Sequence, residues 1–64
     1  GVADAIYDGM VEGTLYSITD LIKTIPECAD LTNQRVSAIV RGMIGTKAER
    51  IEAKRKAYFR KIAE

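Results

Sequence analysis

Three carboxylates, Asp4, Asp8 and Glu12, recur every fourth residue near the start of the chain. On a helix this spacing puts them on one ridge, where they could hold Mg2+ or Ca2+, move a proton, or meet a cationic partner. A metal would require a further carboxylate from a second element, and none is clearly offered. The ridge therefore predicts a docking or solvated face. Cys28 is the single cysteine, the chain has no histidine to activate it, and nearby Asp30 disfavours a thiolate. One cysteine excludes an internal disulfide, and with zero histidines a structural zinc site is unsupported. The expectation is a non-enzyme with no catalytic, cofactor or metal site.

The cations are more suggestive. Residues 1–30 hold six acids and one base, whereas residues 31–64 hold nine bases and three acids, so a net charge of +1 conceals two ends of opposite sign. Lys47, Arg50, Lys54 and Lys61 would line one edge of a C-terminal helix, suited to phosphates without sequence readout. Arg55 would fall inside the apolar stripe of that helix. A charge desolvated there needs a carboxylate, with Asp4 and Asp8 the nearest candidates, unless its head reaches water.

The elements positioning these groups read as helices. From Val2 to Ile25 the apolar residues fall on one side of a 3.6-residue repeat, and Pro26 ends the run. Asp30 or Thr32 is the candidate N-cap of a second helix, with Val36, Ile39, Val40, Met43 and Ile44 as its stripe and Gln34, Arg35, Ser37 and Arg41 facing away. Gly45 sits where a left-handed residue closes a helix. Thr46 and Glu49 have capping-box spacing, and Glu52 with Lys56 makes an i, i+4 pair, predicting a third helix over Ala48, Ile51, Tyr58, Phe59 and Ile62. The predicted fold is all-α: a single domain, residues 1–64, forming a small three-helix bundle with helices at about 2–25, 31–44 and 46–63. A chain of 64 residues buries only about 60% of its unfolded surface, so completion by oligomerisation or by docking on a partner is expected.

The stretch "DLTNQRVSAIVRG" (30–42) has the look of a DNA-reading helix. If Val36 is its buried residue, however, Pro26 falls inside the preceding helix and Asp30 takes the turn glycine's place. On this alignment no helix-turn-helix is expected. Gly9 and Gly13, with Ala5 and Ser17, recur every fourth residue along helix 1, predicting close approach of another backbone.

"GMVEGTLYSI" (9–18) followed by "IPECADLTNQRVSAIV" (25–40) resembles the Rap/Tai type of immunity protein, small helical bacterial proteins that block a toxic cell-wall amidase. Gly9, Gly13, Ile25, Pro26, Gln34, Val36 and Val40 carry the resemblance. It implies a non-enzymatic inhibitor of a protein partner. The paired cysteines of that family would fall near Asp8 and Thr24, so its disulfide has no counterpart here.

The functional expectation is a protein-binding module, inhibitory or assembly-forming, whose partner is another protein or a second copy. Gly9, Gly13, Asp4, Asp8, Glu12, Lys47, Arg50, Lys54, Arg55 and Lys61 are its candidate partner-binding residues. The alternative is a nucleic-acid-binding regulator using helix 31–44 or the basic face of 46–63. No apolar run reaches the roughly 18 residues of a membrane span, no secretory signal is visible, and the lack of a cysteine pair favours the cytoplasm.

Overall fold

The computed structural model describes residues 1–63. Helix α1 (Val2–Gly9) leads through a glycine turn into a short strand β1 (Leu15–Tyr16). Helix α2 (Ile18–Thr24), a 3-10 turn at Pro26–Cys28 and helix α3 (Asn33–Met43) follow. Strands β2 (Ala48–Ala53) and β3 (Lys56–Lys61) form a hairpin. The sheet is antiparallel in the order β1-β3-β2, with Tyr16 opposite Phe59 and Phe59 opposite Arg50. The architecture is therefore α+β, and the all-α bundle is corrected. Among the described residues no helix is long and apolar enough to cross a membrane.

Two of the three expected helices are overturned for identifiable reasons. The run 2–25 breaks because Gly13 turns the chain at φ +84°, which L residues rarely adopt. The Val11 N–H, left free beyond the end of α1, donates to the buried Tyr16 hydroxyl at 2.8 Å. Ser17 then restarts the helix. It accepts from Asp20 N–H at 3.1 Å, while Asp20 accepts from Ser17 N–H at 3.0 Å, a reciprocal cap with aspartate in place of the usual glutamate. The run 46–63 is rich in helix formers, yet it pairs as a hairpin because pairing puts Ala48 and Phe59 in the core beside Tyr16. Thr46 lies in the preceding turn and donates to the Met43 carbonyl, so it caps no helix. Glu52 lies near Arg50 at 3.6 Å, while Lys56 stands opposite Ala53 instead of pairing with Glu52.

The middle helix agrees with the sequence except at its end, where Ile44, expected in the buried stripe, is an exposed C-cap beyond the last turn. Thr32 Oγ accepts from Arg35 N–H, Val36, Val40 and Met43 are buried, and Gly45 takes φ +95° just past the C-cap Ile44. Pro26 lies beyond the end of α2 at Thr24, as expected, and opens the 3-10 turn. The structure agrees with the expectation of no helix-turn-helix, because eight residues, 25–32, separate α2 from α3. The helix partnering α3 lies wholly before the proline, and Leu21 and Ile25 meet Val36 and Val40 in one core through a connection of residues 25–32. This turn is longer than the usual 3–4 residues.

The two glycines expected at one close contact serve different ends. A Cβ at Gly9 would overlap Ile25 Cδ1, whereas Gly13 has open space and is held by its dihedral alone. Ile25 is fully buried, so its side chain has little room to yield. Gly9→Ala is expected to destabilise by roughly 1–3 kcal/mol through overpacking. Adding Ile25→Val, which deletes the offending methyl, should recover part of that loss. A urea double-mutant cycle checks it, and additive effects would place the two residues out of contact.

Candidate nucleic-acid interface

Helix α3 buries one stripe and leaves the opposite side open. Asn33, Gln34, Arg35, Ala38 and Arg41 are exposed and Ser37 half-buried. Two clefts flank this side. One, of about 550 Å3, is lined by Ile18 at the start of α2 and by Asn33, Gln34, Ser37 and Arg41. The other, of about 370 Å3, lies toward the hairpin, where Arg50, Ala57 and Phe59 join Ile18, Ser37, Arg41 and Ile44. Because Ile18, Ser37 and Arg41 line both, the two make one concave surface. No carboxylate lines either. Arg41 Nη2 reaches Ser37 Oγ at 3.5 Å, a long contact that leaves most of the guanidinium's donors unused.

The hairpin closes through a two-residue turn at Lys54 and Arg55, with φ of +52° and +66°. Two consecutive positive φ values match a type I′ turn, which favours Asn-Gly because side chains strain there. Lys54, Arg55 and Lys56 are all exposed, and none makes an ion pair with another described residue. Three adjacent cations thus crown a turn whose conformation opposes two of them.

The expected partner-binding residues separate into groups. Asp4 accepts from Lys47 Nζ at 2.6 Å, so the acidic and basic ends do meet within one molecule. They meet through Lys47, in the turn before β2. Arg55 lies at the hairpin tip and not in an apolar stripe, so its expected need for a buried carboxylate is corrected. Lys61 Nζ stacks over the Tyr7 ring at 4.2 Å and lies 3.4 Å from the Met10 carbonyl, tying the end of β3 to α1. Tyr7 in turn donates its hydroxyl to the Ile62 carbonyl at 3.0 Å. Asp8 is exposed on α1, whereas Glu12 lies beyond its end, so the carboxylates do not continue as one helical ridge. Gly9 and Gly13 belong to the fold. Of the expected cations, Arg50 lines the cleft, and Lys54 and Arg55 crown the hairpin.

Sequence reasoning passed over Lys56 as a tip residue and treated Arg41 only as a solvated position. The available signal was Tyr58-Phe59, a β-favouring pair directly after a cationic turn. Cys28 is fully buried, and its thiol is pushed up by that burial and then by the charge of Glu27, so it stays protonated. Among the described residues no group of three or more His, Cys, Asp or Glu could hold a metal. Comparison with family models, curated proteins and solved structures finds no match to this chain.

Two carboxyls titrate below their ordinary value of 3.8: Asp4 through its hydrogen bond and charge interaction with Lys47, and Asp20 through its hydrogen bonds with Ser17. A lowered folded pKa stabilises above the unfolded value, and the contribution is lost as pH falls through the folded one. The melting temperature is therefore expected to drop as pH is lowered below about 3.8. Asp20→Ala, already less stable at neutral pH, should drop less over the same interval. Parallel acid curves for the two proteins would contradict this.

Proposed function

We propose that this domain binds double-stranded DNA, with α3 entering the major groove and the β2–β3 hairpin reaching the backbone beside it. The observation that carries the reading is the concave surface over α3, which offers Asn33, Gln34, Ser37, Arg41 and Arg50 and no carboxylate in its lining, Glu52 standing 3.6 Å from Arg50 at its edge. A surface built to take up an anionic, hydrogen-bonding ligand has this composition. Helix α3 follows α2 across residues 25–32, and a helix with an exposed polar side can lie in a major groove. The major groove of B-form DNA admits a helix, whereas that of A-form RNA is too narrow for side chains to read. Lys54, Arg55 and Lys56 at the hairpin tip would meet phosphates, displacing counterions as they do so.

Strain at the tip supports the same reading. Non-glycine residues in left-handed conformations cost on the order of 1–3 kcal/mol each, and such outliers gather at functional positions. Lys54 and Arg55 occupy positions where Asn-Gly would be more stable, and they bring two charges in exchange.

A second reading, the protein-binding module expected from the sequence, has one observation in its favour. The sheet face turned away from Phe59 carries half-buried Ile51 opposite Tyr58, with exposed Leu15 alongside on β1. A partner protein would dock there, away from α3, so the two readings are compatible.

The hairpin tip tests the DNA reading. Lys54→Asn together with Arg55→Gly should raise stability in urea by roughly 1–3 kcal/mol, because the strain is relieved. The same change should weaken binding to a duplex and make the slope of log K against log salt shallower by about 2, one for each charge removed. Gel retardation of random-sequence duplex DNA over a salt series reads both effects. Absence of retardation by the unaltered domain at low salt would refute the DNA reading.

A further inference from the structure

The exposed side of α3 is ordered finely enough to assign what it reads, and this step rests on the DNA-binding reading above. We infer that α3 recognises an adenine through Gln34 and a guanine through Arg41, set about three base pairs apart, with Ser37 and Ala38 over the base pairs between. The assignment starts from direction around the helix. At about 100° per residue, Gln34 and Arg41 point within about 20° of each other. The buried Val36, Val40 and Met43 cluster on the opposite side, so Ala38 lies nearest the centre line of the open face, with Gln34 and Arg41 beside it. Asn33 falls near the border with Val40, and Arg35 lies on the other flank, which suits it to backbone phosphate.

Spacing along the axis sets the register. Seven residues at about 1.5 Å each separate the two by roughly 10.5 Å. That is close to three steps of about 3.4 Å along a DNA strand. Side-chain chemistry then names the bases. A carboxamide offers one donor and one acceptor, matching adenine N6 and N7, whereas a guanidinium offers two parallel donors, matching guanine O6 and N7. Ala38, exposed and without a polar atom, suits a thymine methyl or simply lets the groove floor approach. The Ser37 hydroxyl lies 3.5 Å from the Arg41 guanidinium, a contact too long to hold it away from a base edge.

The experiment is selection of binding sites from duplexes with a randomised central region, using the unaltered domain, Gln34→Ala, Arg41→Ala and, as a control for backbone contacts, Lys56→Ala. Each variant alters an exposed side chain, and circular dichroism verifies that it folds. The unaltered domain should select a motif holding an adenine and a guanine about three base pairs apart, each preferred by roughly ten- to a hundredfold. Arg41→Ala should lose the guanine and keep the adenine. Gln34→Ala should do the reverse, and Lys56→Ala should weaken every site alike. Salt-sensitive retardation of all duplexes with no selected motif, or a motif that survives both α3 variants, overturns the assignment while leaving DNA binding intact. Failure to retard any duplex would remove the DNA reading itself, and the assignment with it.

Discussion

The pairing of Tyr16 with Phe59 is the constraint on which the remaining structure depends. It joins the first third of the chain to its end and makes a three-stranded sheet from what would otherwise be an isolated hairpin, a form only marginally stable in water. Tyr16 contributes twice, through its buried ring beside Phe59 and through the hydroxyl that takes up the Val11 N–H. That hydrogen bond satisfies a backbone donor where α1 has ended and the glycine turn begins. The break between α1 and α2 and the existence of the sheet are consequently one event.

Given that frame, the helices have little freedom in what they bury. Leu21 and Ile25 meet Val36 and Val40, while Ile6 and Met10 of the first segment meet the same core from another side. No charged or polar side chain is buried among the described residues. The side chains of α3 that face the core are consequently apolar, and Asn33, Gln34, Arg35 and Arg41 remain exposed. The hairpin is held in the same manner by Ala48 and Phe59 near its open end, leaving the tip to project. The proposed interface is built from what packing leaves over.

Charge is also sorted by the fold. Asp4 takes up Lys47, Glu49 takes up Arg60, and Tyr7 carries Lys61, so three cations at or beside the open end of the hairpin are engaged. Lys54, Arg55 and Lys56 sit at the far end, while Arg41 and Arg50 lie over the clefts, Arg50 with Glu52 at 3.6 Å. Among the described residues Arg41 and the three cations of the hairpin tip make no ion pair. Surface pairs of this sort contribute little to stability individually, and their larger effect is to direct the remaining field.

Much of the middle of the molecule was legible in the amino-acid order alone. Thr32, the Val36–Val40–Met43 stripe and Gly45 delimit α3 by local chemistry, and Pro26 ends the helix before it for the same reason. The alternation of polar and apolar residues also identified Gln34, Arg35, Ser37 and Arg41 as the side of α3 facing away from the core. The sheet was not legible, because the helix formers of 46–63 and the unbroken apolar arc of 2–25 satisfy helical periodicity equally well. A Lys-Arg turn carries no hairpin signature, and the aspartate at the α2 cap lies outside the usual pattern. Local preference decides an element when its stabilising contacts lie within a few residues, as they do at the ends of α3. Where the deciding contact joins Tyr16 to Phe59, only the folded chain can supply it, since neither residue's neighbours record that the other is there.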